Sequence, residues 1–204
     1  MKQYFIILVC LGLVGLGSAF AETEAILSDE TEIVHQAQGE LHVDVKNGFE
    51  IRGPKGWSKE VVPPLPGKTT SEGLMYRKQK EEKAVFPMVR IIGDTAKVTL
   101  DCSDPLDCSQ LVVKMWGEAI ARNQSGTIKV IEEPHELEIN GAKVARTIIE
   151  MTDKNGKSVR TVDYKFMMGS EIMTLMGVDW SSSFDDHLKD FEETASSFRF
   201  IKNN

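Results

Sequence analysis

The side chains able to do chemistry are few and scattered. His35, His42, His135 and His187 stand far apart in the chain. None belongs to an H-x-x-x-H, H-E-x-x-H or mixed Cys/His spacing of the kind that brings ligands to one metal ion. Met151, Met167, Met168, Met173 and Met176 crowd together. Thioethers favour soft Cu(I), so an envelope copper or metal chaperone using Met and His side chains is the alternative function. Sites of that kind usually add His or Cys at close range. Here the methionines fall on core-facing strand positions beside Phe166 and Trp180, where Met serves as a gap filler. Ser181-Ser182-Ser183 lies near Asp185, Asp186 and His187. One helical turn cannot set out nucleophile, base and orienting acid as a triad requires, and helix capping accounts for the serines. G-x-S-x-G and G-x-x-x-x-G-K are both absent, and no acid pair stands isolated in an apolar run. The sequence therefore assigns no catalytic residue, no metal ligand and no cofactor, and it does not read as an enzyme.

Binding is the other chemistry on offer. Residues 52–83 are locally basic and carry an indole. Lys55, Trp57, Lys59 and Lys68 are the candidate binding residues, because a Lys-rich loop with a Trp can meet an acidic partner. The competing reading is a solvated loop with Trp57 tucked under the sheet.

Charge and compartment narrow the partners. The chain has 204 residues and a net charge of −7. Nucleic acid and anionic membranes are polyanions and repel such a balance, so neither is expected as a partner. Residues 1–21 read as a secretory signal peptide. Lys2 is followed by an apolar run to Gly17, then by Ala19 and Ala21 at the positions where the peptidase wants small side chains. An uncleaved anchor is the rival, but the run is shorter than the roughly 20 residues that span a bilayer. No later segment is apolar enough to span one. Export to the periplasm or the medium follows. Residues 22–40 contain Glu22, Glu24, Asp29, Glu30, Glu32 and Glu40 with no Lys or Arg, and read as a solvated acidic leader. Beyond the signal peptide, Cys102 and Cys108 remain, in DCSDPLDC. Two cysteines in an exported chain usually pair, and Pro105 favours a turn between them. A structural disulfide is expected rather than a redox or metal pair, which typically uses C-x-x-C.

The elements that must position these groups run from residue 41 to 204, read as a single α+β domain. LHVDV and FEIRG alternate about Asn47-Gly48, a hairpin turn signal. Residues 58–73, with Pro63, Pro64 and Pro66, read as a surface loop. Residues 84–92 read as a strand whose first half Pro87 confines to an edge or entry position. From Leu106, apolar residues recur at steps of three and four to Ile120. Asp104-Pro105 or Asp107 caps that helix, and Asn123 or Gly126 ends it. Residues 127–180 divide into four strands at Asn140-Gly141, Asn155-Gly156 and Gly169-Ser170, an antiparallel meander. Val162, Tyr164, Phe166 and Met168 share one face of the third strand. The fourth is apolar on both faces, as a strand covered on both sides should be. A last helix follows Ser181–Ser183, with Phe184, Leu188, Phe191, Ala195 and Phe198 on one stripe. An antiparallel sheet flanked by helices results.

Gly48-Phe49-Glu50-Ile51-Arg52-Gly53-Pro54-Lys55-Gly56-Trp57 resembles the G-F-x-h-x-x-P-x-G-W opening of PsbP-like domains, which include many exported bacterial members. Ser197-Phe198-Arg199-Phe200 resembles their closing S-F-x-F. The resemblance implies an α/β/α sandwich around an antiparallel sheet. It also implies a non-enzymatic accessory or assembly role through contacts with another envelope or secreted protein. It carries no catalytic residues. The acidic leader and the C-x5-C pair lie outside the pattern.

Overall fold

The computed structural model describes residues 39–62, 73–78, 86–94, 102–168 and 171–201. The signal peptide, all but the last two residues of the leader, Cys10, Lys68 and the Gly169-Ser170 turn lie outside the described residues. Among those described, no helix is long and apolar enough to cross a membrane.

Among the described residues, ten strands form two antiparallel sheets. In the smaller one, β1 (Leu41–Asp44) and β10 (Arg199–Phe200) flank β2 (Phe49–Arg52), so both ends of the described chain meet on one strand. The larger sheet comprises β3 (Ser58–Val62), β4 (Gly73–Arg77), β5 (Met88–Asp94), β6 (Gly126–Ile139), β7 (Ala142–Asp153), β8 (Ser158–Met168) and β9 (Glu171–Trp180). Its order is β3-β4-β5-β9-β8-β7-β6, with every neighbour antiparallel. The expected meander is β6 to β9. Helix α1 (Pro105–Asn123) packs on one face of this sheet, with Trp116 and Ile120 against Met88, Ile149, Met151, Val159, Met176 and Val178. Helix α2 (Phe184–Ser197) and the small sheet pack on the other, around Phe49, Ile51, Trp57, Phe166, Leu175, Phe191 and Phe198. The fold is the α+β, α/β/α sandwich expected from the sequence.

Turn chemistry sets the meander. Asn140 (φ 51°) and Gly141 (φ 81°) both take the left-handed conformation, which matches the twist of the strands they join. Pro134 sits where β6 slips register against β7, between Glu132 and His135, and β6 is an edge strand; both circumstances tolerate a missing N–H. β5 starts immediately after Pro87, the entry position anticipated for that residue.

Several local expectations change. Asp44 pairs with Phe49, so the first hairpin turns through four residues, not two, and of its pair Asn47-Gly48 only Gly48 (φ 69°) is left-handed. The Asp44 carboxylate explains this. It accepts the Asn47 backbone N–H at 2.9 Å and Nδ2 at 2.7 Å, which stabilises the wider loop. The Asp153 carboxylate does the same before Gly156, taking N–H bonds from Asn155 and Lys157. The supposed loop at 58–73 begins as β3 and ends in β4. Ser58, Lys59 and Glu60 look like loop residues because β3 is an edge strand, and charged side chains protect such edges. Helix α1 is capped by Asp104, which accepts the Asp107 N–H at 2.8 Å, and its last residue is Asn123 as expected, but the left-handed cap that follows is Gln124 (φ 49°). Gly126 instead opens β6, where a Cβ would stand 1.9 Å from the Thr152 carbonyl oxygen. Cys102 and Cys108 form the expected disulfide, with Cys108 wholly buried at the start of α1.

Candidate functional site

The sequence-derived binding residues lie on and beside one turn. The Trp57 N–H donates to the Pro54 carbonyl at 3.2 Å, and Gly56 (φ 77°) takes the third position of the turn, which needs a left-handed residue. Lys55 is therefore held out at the tip, exposed to solvent. Trp57 points inward and is 3% exposed, edge-on to both His187 and Phe191 at 6.0 Å between ring centroids. Gly53, one step before the turn, lies flat on the Tyr76 ring; a Cβ there would be 2.1 Å from it. Lys59, on β3, is half-buried, and its Nζ lies 3.5 Å from His42 Nδ1. The structure thus brings Lys55, Trp57 and Lys59 into one segment, with the indole as its anchor and the Lys55 ammonium as its exposed charge.

The His42–Lys59 contact has a clear electrostatic sense. Lys59 has only protons to give, so the imidazole nitrogen facing it must be the unprotonated one. Partial burial and the Lys59 charge both depress the His42 pKa below its ordinary 6.5, against a smaller opposing pull from Asp44.

Two further polar constellations escaped the sequence reading. On the α2 side, Asp179 (1% exposed) accepts three bonds: the Trp180 N–H at 2.7 Å on Oδ1, and Ser183 Oγ at 2.8 Å and His187 Nδ1 at 2.9 Å on Oδ2. Ser183 stands at the start of α2, yet its hydroxyl makes no cap bond and turns back to Asp179. A serine nucleophile must face the imidazole nitrogen remote from the acid. Here serine and histidine share the same carboxylate oxygen, so the trio ties α2 to the end of β9 and has no relay geometry. The signal was present in the chain: Asp179 falls on the Leu175–Gly177 face of β9, and His187 on the stripe of Phe184 and Phe191.

On the α1 side, Lys165 Nζ pairs with Asp163 Oδ2 at 2.9 Å and donates to Thr174 Oγ1 at 3.0 Å, with side chains 6% and 2% exposed for Lys165 and Asp163. These residues alternate with Val162, Tyr164 and Phe166, so in sequence they pass for a solvated face. That face of β8 is covered as fully as the other.

The five methionines singled out in the sequence are not brought together, although Met151 and Met176 share one core cluster with Met75 and Met88. Met151 and Met176 lie in the core beneath α1, whereas Met173 lies in the core beneath α2, so the sheet itself separates them. Met167 is half-buried on β8. His42, His135 and His187 stand with separate partners: Lys59, Glu132 and Asp179.

No protein-family model matches the chain, and no curated protein matches its sequence. Solved structures do match. Cyanobacterial PsbP (CyanoP) from Synechocystis sp. PCC 6803, a solution structure, superposes with a TM-score of 0.60 at 13% identity, covering 93% of this chain and 100% of that one. A protein of unknown function from Pseudomonas aeruginosa, described as a putative regulator, gives 0.42 at 9% identity, over 83% of this chain and 99% of that one. A crystal structure from Bacteroides thetaiotaomicron gives 0.45 at 11% identity, over 81% and 50%. At such identities the likeness is one of architecture, and the architecture that this chain shares with CyanoP is PsbP-like.

Proposed function

We propose that this chain is an exported, non-catalytic accessory protein that acts by contacting another envelope or secreted protein. Residues 1–21 serve as signal peptide, 22–40 as acidic leader, and 41–204 as the one α+β domain that makes the contact. The observation that carries the reading is the Pro54–Trp57 turn. Its indole is spent as an anchor in the core, while Lys55 is held out on a backbone turn that is already ordered, so little loop entropy remains to be lost on binding. A protruding ammonium suits an acidic patch on a protein partner. The PsbP-like fold and the opening and closing motifs support an accessory role. The Cys102–Cys108 disulfide supports an oxidising compartment, periplasmic or extracellular. The polar groups best placed for chemistry, Asp179, His187, Asp163 and Lys165, are engaged with one another inside the fold.

The test is cross-linking of the tagged chain in envelope extract, in parallel with a Lys55→Glu variant. One defined protein recovered with the parent and lost with the variant is the expected result. Equal recovery with both overturns the assignment to this turn. Copper at one equivalent by elemental analysis, with no protein recovered, restores the metal-chaperone reading.

A further inference from the structure

The outer face of the small sheet is a surface separate from the Lys55 turn. The register puts His42, Phe49 and Ile51 on the inner face of that sheet and Leu41, Val43, Glu50, Arg52 and Arg199 on the outer one. Val43, Glu50 and Arg199 form one row across the three strands, and Leu41 and Arg52 form the next. Leu41 and Val43 are 39% and 46% exposed. Arg52 and Arg199 are exposed too, and Glu50 is half-buried between them. Among the described residues neither arginine forms an ion pair. Two neighbouring aliphatic side chains beside two arginines fit a segment that carries both acids and aliphatic residues.

A segment of that composition is joined to the rim of this face. Gly39 (φ 70°) takes the left-handed conformation just ahead of β1 and turns the chain there. Arg52, an outer-face residue, donates from Nη1 to the Gly39 carbonyl at 2.6 Å, so the chain joins β1 on the outer side. The preceding residues 22–38 hold Glu22, Glu24, Asp29, Glu30 and Glu32 with no Lys or Arg, and the aliphatic pairs Ile26-Leu27 and Ile33-Val34.

We propose that this outer face is the docking site of the chain's own acidic leader, with Ile33 and Val34 toward Leu41 and Val43 and with Glu30 and Glu32 toward Arg52 and Arg199. The reach suffices. From Gly39 back to Val34 the chain spans up to about 17 Å, enough to reverse over β1. β10 lies two strand spacings from β1, about 10 Å, which the three or four residues before Ile33 can cross. The Glu50 carboxylate opposes the approach of acids, but the two arginines outnumber it. Exposed ion pairs are individually weak. The covalent link compensates, because a short tether holds the segment at an effective concentration of about millimolar. The leader then covers the aliphatic pair that the small sheet leaves in water.

The test uses the natively processed chain with Ser28→Cys carrying a nitroxide. Cys102 and Cys108 are paired, so the label goes to the new thiol. The expected result is paramagnetic broadening of the Val43, Glu50 and Arg199 amide signals. Arg199→Glu, Glu30→Gln/Glu32→Gln, Val43→Thr or 0.5 M NaCl should each reduce it by about two-fold or more, since each removes a charge contact, an apolar contact or the attraction itself. Lys114→Glu, an exposed cation on α1, changes the net charge as Arg199→Glu does and should leave the broadening intact. The spectrum of each variant also shows whether it is folded. Broadening confined to the residues next to Gly39 overturns the proposal. So does broadening of Glu50 and Arg199 that ignores Arg199→Glu and Val43→Thr, or that falls equally with Lys114→Glu. None of these outcomes bears on the Lys55 contact, which the cross-linking experiment tests separately.

Discussion

Phe49 stacks on Phe198, with ring centroids 5.5 Å apart and planes within 16° of parallel. One residue belongs to the opening motif and the other to the closing motif, so two short patterns at opposite ends of the domain form one structural unit. The Arg52 N–H reinforces it by donating to Ser197 Oγ at 2.9 Å, and the Ile201 N–H donates to the Gly48 carbonyl at 2.8 Å. Phe198 also reaches Phe166 of the large sheet at 4.1 Å, which makes it the joint between the two sheets. Phe198→Ala is therefore expected to cost about 3–5 kcal/mol of stability in urea unfolding. A double-mutant cycle with Phe49→Ala should return a coupling of about 0.5–1.5 kcal/mol for the stacked pair. Additive losses would mean that the rings are neighbours without mutual dependence.

The approach of α2 to the sheet depends on Gly177. A Cβ at that position would lie 2.3 Å from Cγ of Phe191, and Phe191 is wholly buried. Gly177→Ala should destabilise by about 1–3 kcal/mol, as overpacking does in a filled core. The clash is with a side chain, so the same substitution made in a Phe191→Leu background should cost clearly less. Equal cost in both backgrounds, measured by thermal unfolding, would place the strain in the β9 backbone instead.

The buried ion pair on β8 makes a prediction with two opposite halves. Lys165→Met leaves the Asp163 carboxylate in a site 2% exposed with its partner gone, and a loss of about 3–5 kcal/mol is expected. Asp163→Leu combined with Lys165→Met removes both charges and should recover most of that loss, since apolar replacement of a whole buried pair is often neutral or better. Chemical denaturation of the single and double variants measures both halves. A double variant no more stable than the single one would show that Thr174 and the surrounding polar groups need the pair itself.

What the sequence made legible followed from how local each signal is. β6 to β9 could be read because Asn140-Gly141 and Gly156 mark the turns where they occur, and the apolar period on both faces of β9 announced two covering layers. Helix α1 could be read from its cap and its stripe. β10 could not, because two residues, Arg199 and Phe200, have no pattern of their own; their strand character comes from β2, at the other end of the domain. β3 was hidden for a related reason: an edge strand of Ser, Lys and Glu beside Pro63 and Pro64 has the composition of a loop. At the site, the fate of Trp57 was open in the sequence, since an indole beside lysines suits either a binding loop or an anchor. Asp179 and His187 were missed as a pair because their contact joins a strand to a helix turn, and their places on two apolar faces mark each as inward-facing without marking them as partners.

The His42–Lys59 contact gives the fold a defined response to acid. Burial and the nearby ammonium hold the folded-state pKa of His42 below the 6.5 of the unfolded chain. Between those two values the unfolded chain binds more protons than the folded one, so stability rises with pH there. The contribution is complete above pH 6.5 and is lost as pH falls below it through the folded value. Asp153 and Glu150 also have depressed pKa values, but their windows open only below 3.8 and 4.5, beneath the acid end of a comparison between pH 8 and pH 5. The urea midpoint of the parent should therefore drop between pH 8 and pH 5 by more than that of His42→Gln, which keeps a neutral side chain of similar reach. Lys59→Met removes the charge but leaves much of the burial, so the His42 imidazole proton resonance should titrate at higher pH in that variant than in the parent. The same midpoint shift in parent and His42→Gln would assign the acid response to other groups and leave the β1–β3 contact without a role in it.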